Sequence, residues 1–228
     1  QFNTTIKNCN IVDGNWSSEA GTGRYGITLN SCSNSTLINN TVNTNNSVAI
    51  RIYVNVENST LINNTGISNF QTGIFLYDTT NSNFVNNTGI SLKSSNGLYI
   101  FGSTNNYFEN NTFMSNLSRG VYFLDSSNNT FVGDIITSEN NRAIYVRGAN
   151  NTIFRDCKYI NGGNTDVFYE VNYINLNNTF INCSYDLEYV GEGEENELIR
   201  KWYYQAYVNN TEGSPLSNAN ISAYNTTG

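Results

Sequence analysis

The residues best equipped for chemistry in this 228-residue chain are two carboxylates and a set of regularly spaced aromatic rings. Asp78 follows GIFLY and Asp125 follows GVYFL, at equivalent places two repeats apart. A carboxylate pair is the minimal equipment for acid–base cleavage of a glycosidic bond. Both residues also open turn-like segments, DTTN and DSSN, where an Asp side chain caps its own backbone. The turn role is the expectation for both, with catalysis as the competing one. The chain contains no His, which excludes an imidazole base and a zinc–His centre. The rings recur in two columns. Phe75, Tyr99, Tyr122 and Tyr145 form one, and Tyr53, Tyr77 and Phe101 the other, with Arg51 and Arg147 near their ends. Rings in a row suit stacking on sugars, with Tyr hydroxyls and Arg as polar handles. These nine residues are the candidate ligand surface. Two rival roles compete with ligand binding: the stacked rings stabilise a sheet through cross-strand pairs, or another domain or subunit covers the face.

What spaces these residues is a repeat. NSTLINNT occurs at Asn34 and again at Asn58, followed by NSNFVNNT at Asn81, NNYFENNT at Asn105, NNTFVGDI at Asn128, NNTIFRDC at Asn150 and NNTFINCS at Asn177. A weaker copy opens at Asn3, and successive starts differ by 31, 24, 23, 24, 23, 22 and 27 residues. Between the copies lies a second motif: YGITL, VAIRI, TGIFL, NGLYI, RGVYF and RAIYV. Period-2 alternation holds within each motif, which is the strand signature. It predicts two inward columns, Ile27-Ile50-Ile74-Leu98-Val121-Ile144-Val167 and Leu29-Ile52-Leu76-Ile100-Phe123-Val146-Tyr169. A coil of two dozen residues cannot bury its own apolar side, so neighbours must stack. The expected fold is all-β: a right-handed parallel β-helix of about seven or eight coils over residues 1–187. Asn40, Asn64, Asn87 and Asn111 recur at one corner, where Asn tolerates left-handed angles and stacked amides pair along the axis.

The pattern NxTxxxNN…GIxL resembles the right-handed β-helix repeats of pectate-lyase-like and NosD-like proteins. It is also similar to the Asn-rich repeats of prokaryotic, often archaeal, adhesin-like surface proteins. The resemblance implies a scaffold that carries lyases, hydrolases, binders and purely structural proteins. NosD-like proteins are associated with copper, but a chain with no His, a single Met (Met114) and four Cys lacks the usual ligands. No lyase motif carries over, and no cofactor or metal is expected.

The rest of the chain sets the context. A net charge of −7 without a Lys/Arg cluster argues against nucleic acid, and no apolar run reaches the ~20 residues of a membrane span. The chain starts at Gln1 without a signal, as a mature product or fragment does. Cys157 and Cys183 fall at matching places in adjacent repeats and are expected to form a disulfide. Cys9 and Cys32, at the other end, are a second candidate pair, although the register sets Cys9 over Asn40; four reduced thiols are the alternative. Glycosylation acceptor triplets abound: Asn15, Asn34, Asn58, Asn116, Asn128, Asn150 and Asn209 are the candidate sites. Asn39, Asn63, Asn86 and Asn110 lie beside the inward ladder, where a glycan fits poorly. Residues 188–197 read as an acidic linker, and 198–228 as the opening strands of an incomplete Ig-like or carboxypeptidase-regulatory-like domain, or else as a cap on the last coil. The expectation is a non-catalytic extracellular module of a larger surface protein, acting in adhesion, envelope structure or glycan binding. A polysaccharide lyase or hydrolase is the alternative.

Overall fold

The computed structural model describes residues 3–12, 25–192, 195–203 and 208–216. Among these there is no helix, and 24 short strands stack into three parallel sheets. The first sheet has nine strands, from Thr5–Lys7 to Asn196–Lys201; the second has seven, from Asn10–Val12 to Tyr159–Gly162. The third has eight, from Ile27–Asn30 to Glu188–Val190. The chain visits the three sheets in turn, so each circuit is one coil of a parallel β-helix about eight turns long.

Both expected inward columns of the third sheet are buried, and their register is continuous: Ile74 pairs with Leu98, Leu98 with Val121, and Val121 with Ile144. Facing them, the first sheet contributes a column of rings. Phe84, Phe108, Phe131, Phe154 and Phe180 lie 4.7, 4.3, 4.9 and 4.5 Å apart in succession, all stacked. The second sheet closes on the head of the third so tightly that a Cβ at Gly97 would fall 2.5 Å from the Met114 nitrogen. That approach requires glycine.

The Asn pair divides its work. The first member takes the left-handed backbone: Asn39, Asn63, Asn86 and Asn110 have φ of 52, 54, 54 and 55°. These four are exposed, not hindered by the interior as their neighbours suggested. The second member is buried. Asn40, Asn64 and Asn87 each donate an amide N–H to the Oδ1 of the next rung, at 2.8, 3.0 and 3.2 Å. Each Oδ1 from Asn64 onward also accepts a backbone N–H, and the second amide hydrogens of Asn64, Asn87 and Asn111 go to the carbonyls of Leu37, Leu61 and Phe84. A buried amide with every donor and acceptor used costs no desolvation penalty. Asp134 terminates the ladder, its Oδ1 receiving the Asn111 backbone and side-chain N–H at 2.6 and 3.0 Å.

Cys157 and Cys183 are bonded, with Cα atoms 4.8 Å apart, as adjacent coils dictate. The second expected pair does not form: Cys9 and Cys32 are free. The cause is register. The Cys9 N–H donates to Asn40 Oδ1 at 3.0 Å, so Cys9 stands one coil below the ladder, while the Cys32 sulfur turns back to the Asn30 carbonyl. The boundary expected at residue 187 also moves. Within 188–197, Glu188–Val190 pairs in parallel with the strand Thr165–Tyr169, and Asn196–Lys201 pairs with Asn175–Ile181. These two strands therefore continue the sheets of the solenoid past residue 187, without the Asn pair that marks the earlier turns. Beyond it, Asn209 and Pro215 form an antiparallel bridge.

Candidate functional site

The outer side of the third sheet carries the two expected aromatic columns in register. Phe75 pairs with Tyr99, Tyr99 with Tyr122 and Tyr122 with Tyr145, and the rings sit 5.0, 4.8 and 5.0 Å apart. Phe168 and Tyr189 extend the column at 5.3 and 4.7 Å. In the second column Tyr53, Tyr77 and Phe101 follow at 5.0 and 4.9 Å. These spacings match the ~4.8 Å step between parallel strands, so the sheet itself fixes the ladder.

The face is less open than an exposed apolar patch. Phe75, Tyr77, Tyr99, Phe101 and Tyr122 are half-buried against one another, and Tyr145 is only 6% exposed. Tyr145 is covered by two arginines: the Arg119 and Arg142 guanidiniums lie 4.6 and 5.2 Å from its centroid. Burial and the neighbouring Tyr122 push the Tyr99 hydroxyl up to about 12. It stays a neutral donor and acceptor throughout the physiological range.

Arg51 and Arg147 lie where expected but engage rings. Arg51 stands 3.4 Å over Tyr53 and 4.1 Å over Tyr25. Arg147 donates to the Tyr173 hydroxyl, and its hydrogen bonds to Tyr173 and Tyr122 favour its charged form. Sequence reasoning passed over Arg119 and Arg142. They stand three residues before the first ring column, at the head of RGVYF and RAIYV, where earlier coils carry Val48, Thr72 and Asn96.

Asp78 and Asp125 mark the opposite edge. Both adopt left-handed φ, 51° and 48°, and Gly102 and Gly148 take the same corner at 55° and 72°. Asp78 accepts the Asn55 backbone N–H at 3.1 Å. The backbone thus accounts for both residues as corner formers. The coil between them offers only Gly102, and among the described residues no group of three or more Asp, Glu, Cys or His could hold a metal.

A groove of about 270 Å³ opens at the head of this sheet, between the ring column and the preceding corner. It is lined by the rings of Phe75, Tyr99 and Tyr122 together with the polar Thr72, Ser95 and Asn96 and by Arg119. Of the candidate glycosylation sites, Asn58, Asn128 and Asn209 are exposed and Asn34, Asn116 and Asn150 half-buried; Asn15 lies outside the described residues.

Comparison with known proteins bears on the fold. The periplasmic alginate epimerase AlgG superposes with a TM-score of 0.59 at 14% identity, over 79% of this chain and 48% of that enzyme. A point-mutant form of AlgG gives 0.61 at 15% identity, over 78% and 47%. The chain spans about half the length of these structures, and likeness at such identity is one of fold. No curated protein matches the sequence. The sequence family described as "Right handed beta helix region" matches residues 1–94 and 89–221. Those matches cover nearly the whole chain, and the protein belongs to the right-handed β-helix family.

Proposed function

We propose that this protein is a non-catalytic, extracellular glycan-binding module, and that the aromatic face of the third sheet is its binding surface. The observation that carries the reading is the groove of about 270 Å³ lined by Phe75, Tyr99 and Tyr122 together with Thr72, Ser95 and Asn96. Small-ligand sites combine ring or apolar walls with a few convergent polar groups in this way. A purely structural ladder has no need of a groove along its flank. The Cys157–Cys183 disulfide supports an oxidising compartment, and AlgG, similar in fold, acts on a polysaccharide. The antiparallel pairing of Asn209 with Pro215 supports a separate small β module after the solenoid. A lyase or hydrolase would need convergent carboxylates, and Asp78 and Asp125 are accounted for as corner residues.

The test is the double substitution Tyr99→Ala with Tyr122→Ala, read by a melting curve and a polysaccharide pull-down on the same preparation. A few aromatic anchors carry most of the energy of such an interface, so retention should fall at least tenfold. Both rings point away from the core, so melting should move by only a few degrees. A large drop in melting temperature with unchanged retention would make the ladder a scaffold and remove the reading.

A further inference from the structure

The repeat breaks three times at one corner of the solenoid. The exposed column Asn39, Asn63, Asn86 and Asn110 continues in Gly133, which takes the same left-handed backbone, φ 66°, without a side chain. One residue on, the buried amide ladder ends in the carboxyl of Asp134. In the next coil a residue is inserted. Val132 pairs with Arg155 and Ile135 with Tyr159, so Gly133 and Asp134 on one coil face Asp156, Cys157 and Lys158 on the next. Departures from an otherwise consistent repeat mark positions where something besides folding sets the residue.

The three departures converge. The Lys158 backbone N–H donates to the Asp134 carbonyl at 3.0 Å, which fixes the base of the side chain. The side chain reaches back across the Gly133 coil, and Nζ donates to Asn110 Oδ1 at 2.8 Å, 48 residues earlier in the chain. The missing side chain makes the room: a Cβ at Gly133 would fall 2.8 Å from that same Oδ1. Lys158 forms no salt bridge among the described residues, where Arg155 pairs with Asp156 and Arg200 with Glu188. Asp156, two residues before it, is engaged by Arg155, by Asn182 Nδ2 at 2.8 Å and by the Tyr203 hydroxyl at 3.4 Å. An amine is therefore held against a carboxamide, whose carbon lies one bond from the accepting oxygen. Holding two reacting groups together in this way replaces an encounter with a unimolecular step.

Asp134 is the third group. Its Oδ1 accepts the Asn111 backbone N–H, the peptide nitrogen that follows Asn110, at 2.6 Å, and its buried Oδ2 has no partner among the described residues. Burial raises this carboxyl to about 7, and the nearby Lys158 charge is one of the forces opposing the rise. A carboxyl at its midpoint near neutral pH both takes and returns a proton readily.

We propose that Lys158 and Asn110 form an intramolecular isopeptide bond, with Asp134 carrying the proton. The Lys158 ammonium gives one proton to the Asp134 carboxylate. The neutral Nζ attacks Asn110 Cγ and the new C–N bond forms. Asp134 returns the proton to Nδ2, the Cγ–Nδ2 bond breaks, and the departing ammonia takes a second proton from Nζ and leaves as ammonium. The amide keeps the third. No oxidant or further reactant takes part, and both side chains are exposed, so the ammonium departs into solvent. Together with the adjacent Cys157–Cys183 disulfide, the bond ties the successive coils of Asn110, Gly133, Asp156 and Asn182 covalently. Unlike the disulfide it survives reduction. The inference is independent of the glycan-binding reading of the third sheet.

The test is the intact mass of the purified whole chain after reduction, followed during incubation at neutral pH. The wild type should become lighter by one ammonia. Its tryptic digest should contain one branched species that joins the Asn110 and Lys158 peptides. Lys158→Arg keeps the charge and the hydrogen bond and should hold the full mass. Gly133→Asn restores the repeat, fills the approach and should hold it too. Asp134→Asn preserves the ladder and should slow bond formation at least about tenfold, which a purely structural role for Asp134 would not do. All three variants should melt cooperatively, which excludes unfolding as the cause. Full mass in the wild type after extended incubation overturns the inference. So does an ammonia loss that maps within a single peptide, as a cyclic imide at Asn110 would, or undiminished linkage in any of the three variants.

Discussion

Ile100→Asp should abolish folding. Ile100 has no exposed surface and lies in register between Leu76 and Phe123 in the inner column of the third sheet. An Asp there has no partner among the apolar side chains of the column. It must either stay ionised in an apolar interior or take up a proton, and each costs several kcal/mol against a total stability of ~5–15 kcal/mol. In a solenoid the damage spreads, because every coil depends on both neighbours for its buried face. The expected result is a chain without a cooperative melting transition and without a β-type far-UV circular dichroism spectrum. Thr28→Asp is the control. Thr28 lies on the same sheet, is exposed, and points outward, so its variant should melt as the wild type does. A normally folded Ile100→Asp protein would show that the two faces of the sheet are reversed.

Asp134→Asn should stabilise the protein at neutral pH and remove most of a pH dependence. Asp134 occupies the fifth rung of the asparagine ladder. Its Oδ1 is well bonded, but its Oδ2 is buried without a partner among the described residues. Burial pushes the carboxyl up from 3.8 to about 7, against the opposing pull of the Asn111 hydrogen bonds. The raised value fixes the sign. Below pH 4 both folded and unfolded chains hold the proton, and stability from this group is complete. As pH rises from about 4 to 7 the unfolded chain ionises more readily than the folded one, so stability is progressively lost; above about 7 the loss is complete. A rise of this size corresponds to roughly 4 kcal/mol. In the ladder, Asn64, Asn87 and Asn111 each donate to the carbonyl three residues before the preceding rung. By that pattern an amide at 134 would donate to the Phe108 carbonyl, replacing an orphaned oxygen with a satisfied donor. Chemical denaturation at pH 5 and pH 8 checks this. The wild type should be the more stable at pH 5 as far as this group is concerned. The Asn variant should gain at pH 8 and lose most of the difference. An Asn variant that is less stable at pH 8 would mean that the carboxylate is favourably held.

Much of this was legible in the residue pattern, for a physical reason. In a parallel solenoid each residue stacks on its counterpart one repeat away, so alignment of the repeats gives the register directly. That is why the columns through Ile74 and Leu76 and the Cys157–Cys183 bond followed from spacing alone. The same logic set Cys9 over Asn40 and so against Cys32, a pairing the structure does not contain. The division of the Asn pair was harder to see, because either member could have taken the left-handed angle; the exposed one does. Residues 188–201 escaped recognition as part of the solenoid because their strands lack the Asn signal while keeping the backbone pairing. Arg119 and Arg142 are the first letters of RGVYF and RAIYV. Strand alternation does not single them out, because they act from the corner before the strand's apolar positions begin. The partial burial of the rings was not readable at all, since it depends on how closely each side chain lies on the next.

The most direct test of the glycan-binding surface is to observe the rings themselves during binding. In protein with isotope-labelled tyrosine, the ring resonances can be followed as a retained glycan is added. Tyr99 and Tyr122 should shift most, with Tyr77 and Tyr53 following. Tyr159, exposed on the outer side of the second sheet, and Tyr169, fully buried in the core, should not move. Shifts confined to Tyr159 or to tyrosines outside the third sheet, with Tyr99 and Tyr122 unmoved at saturation, would contradict the assignment of the binding surface.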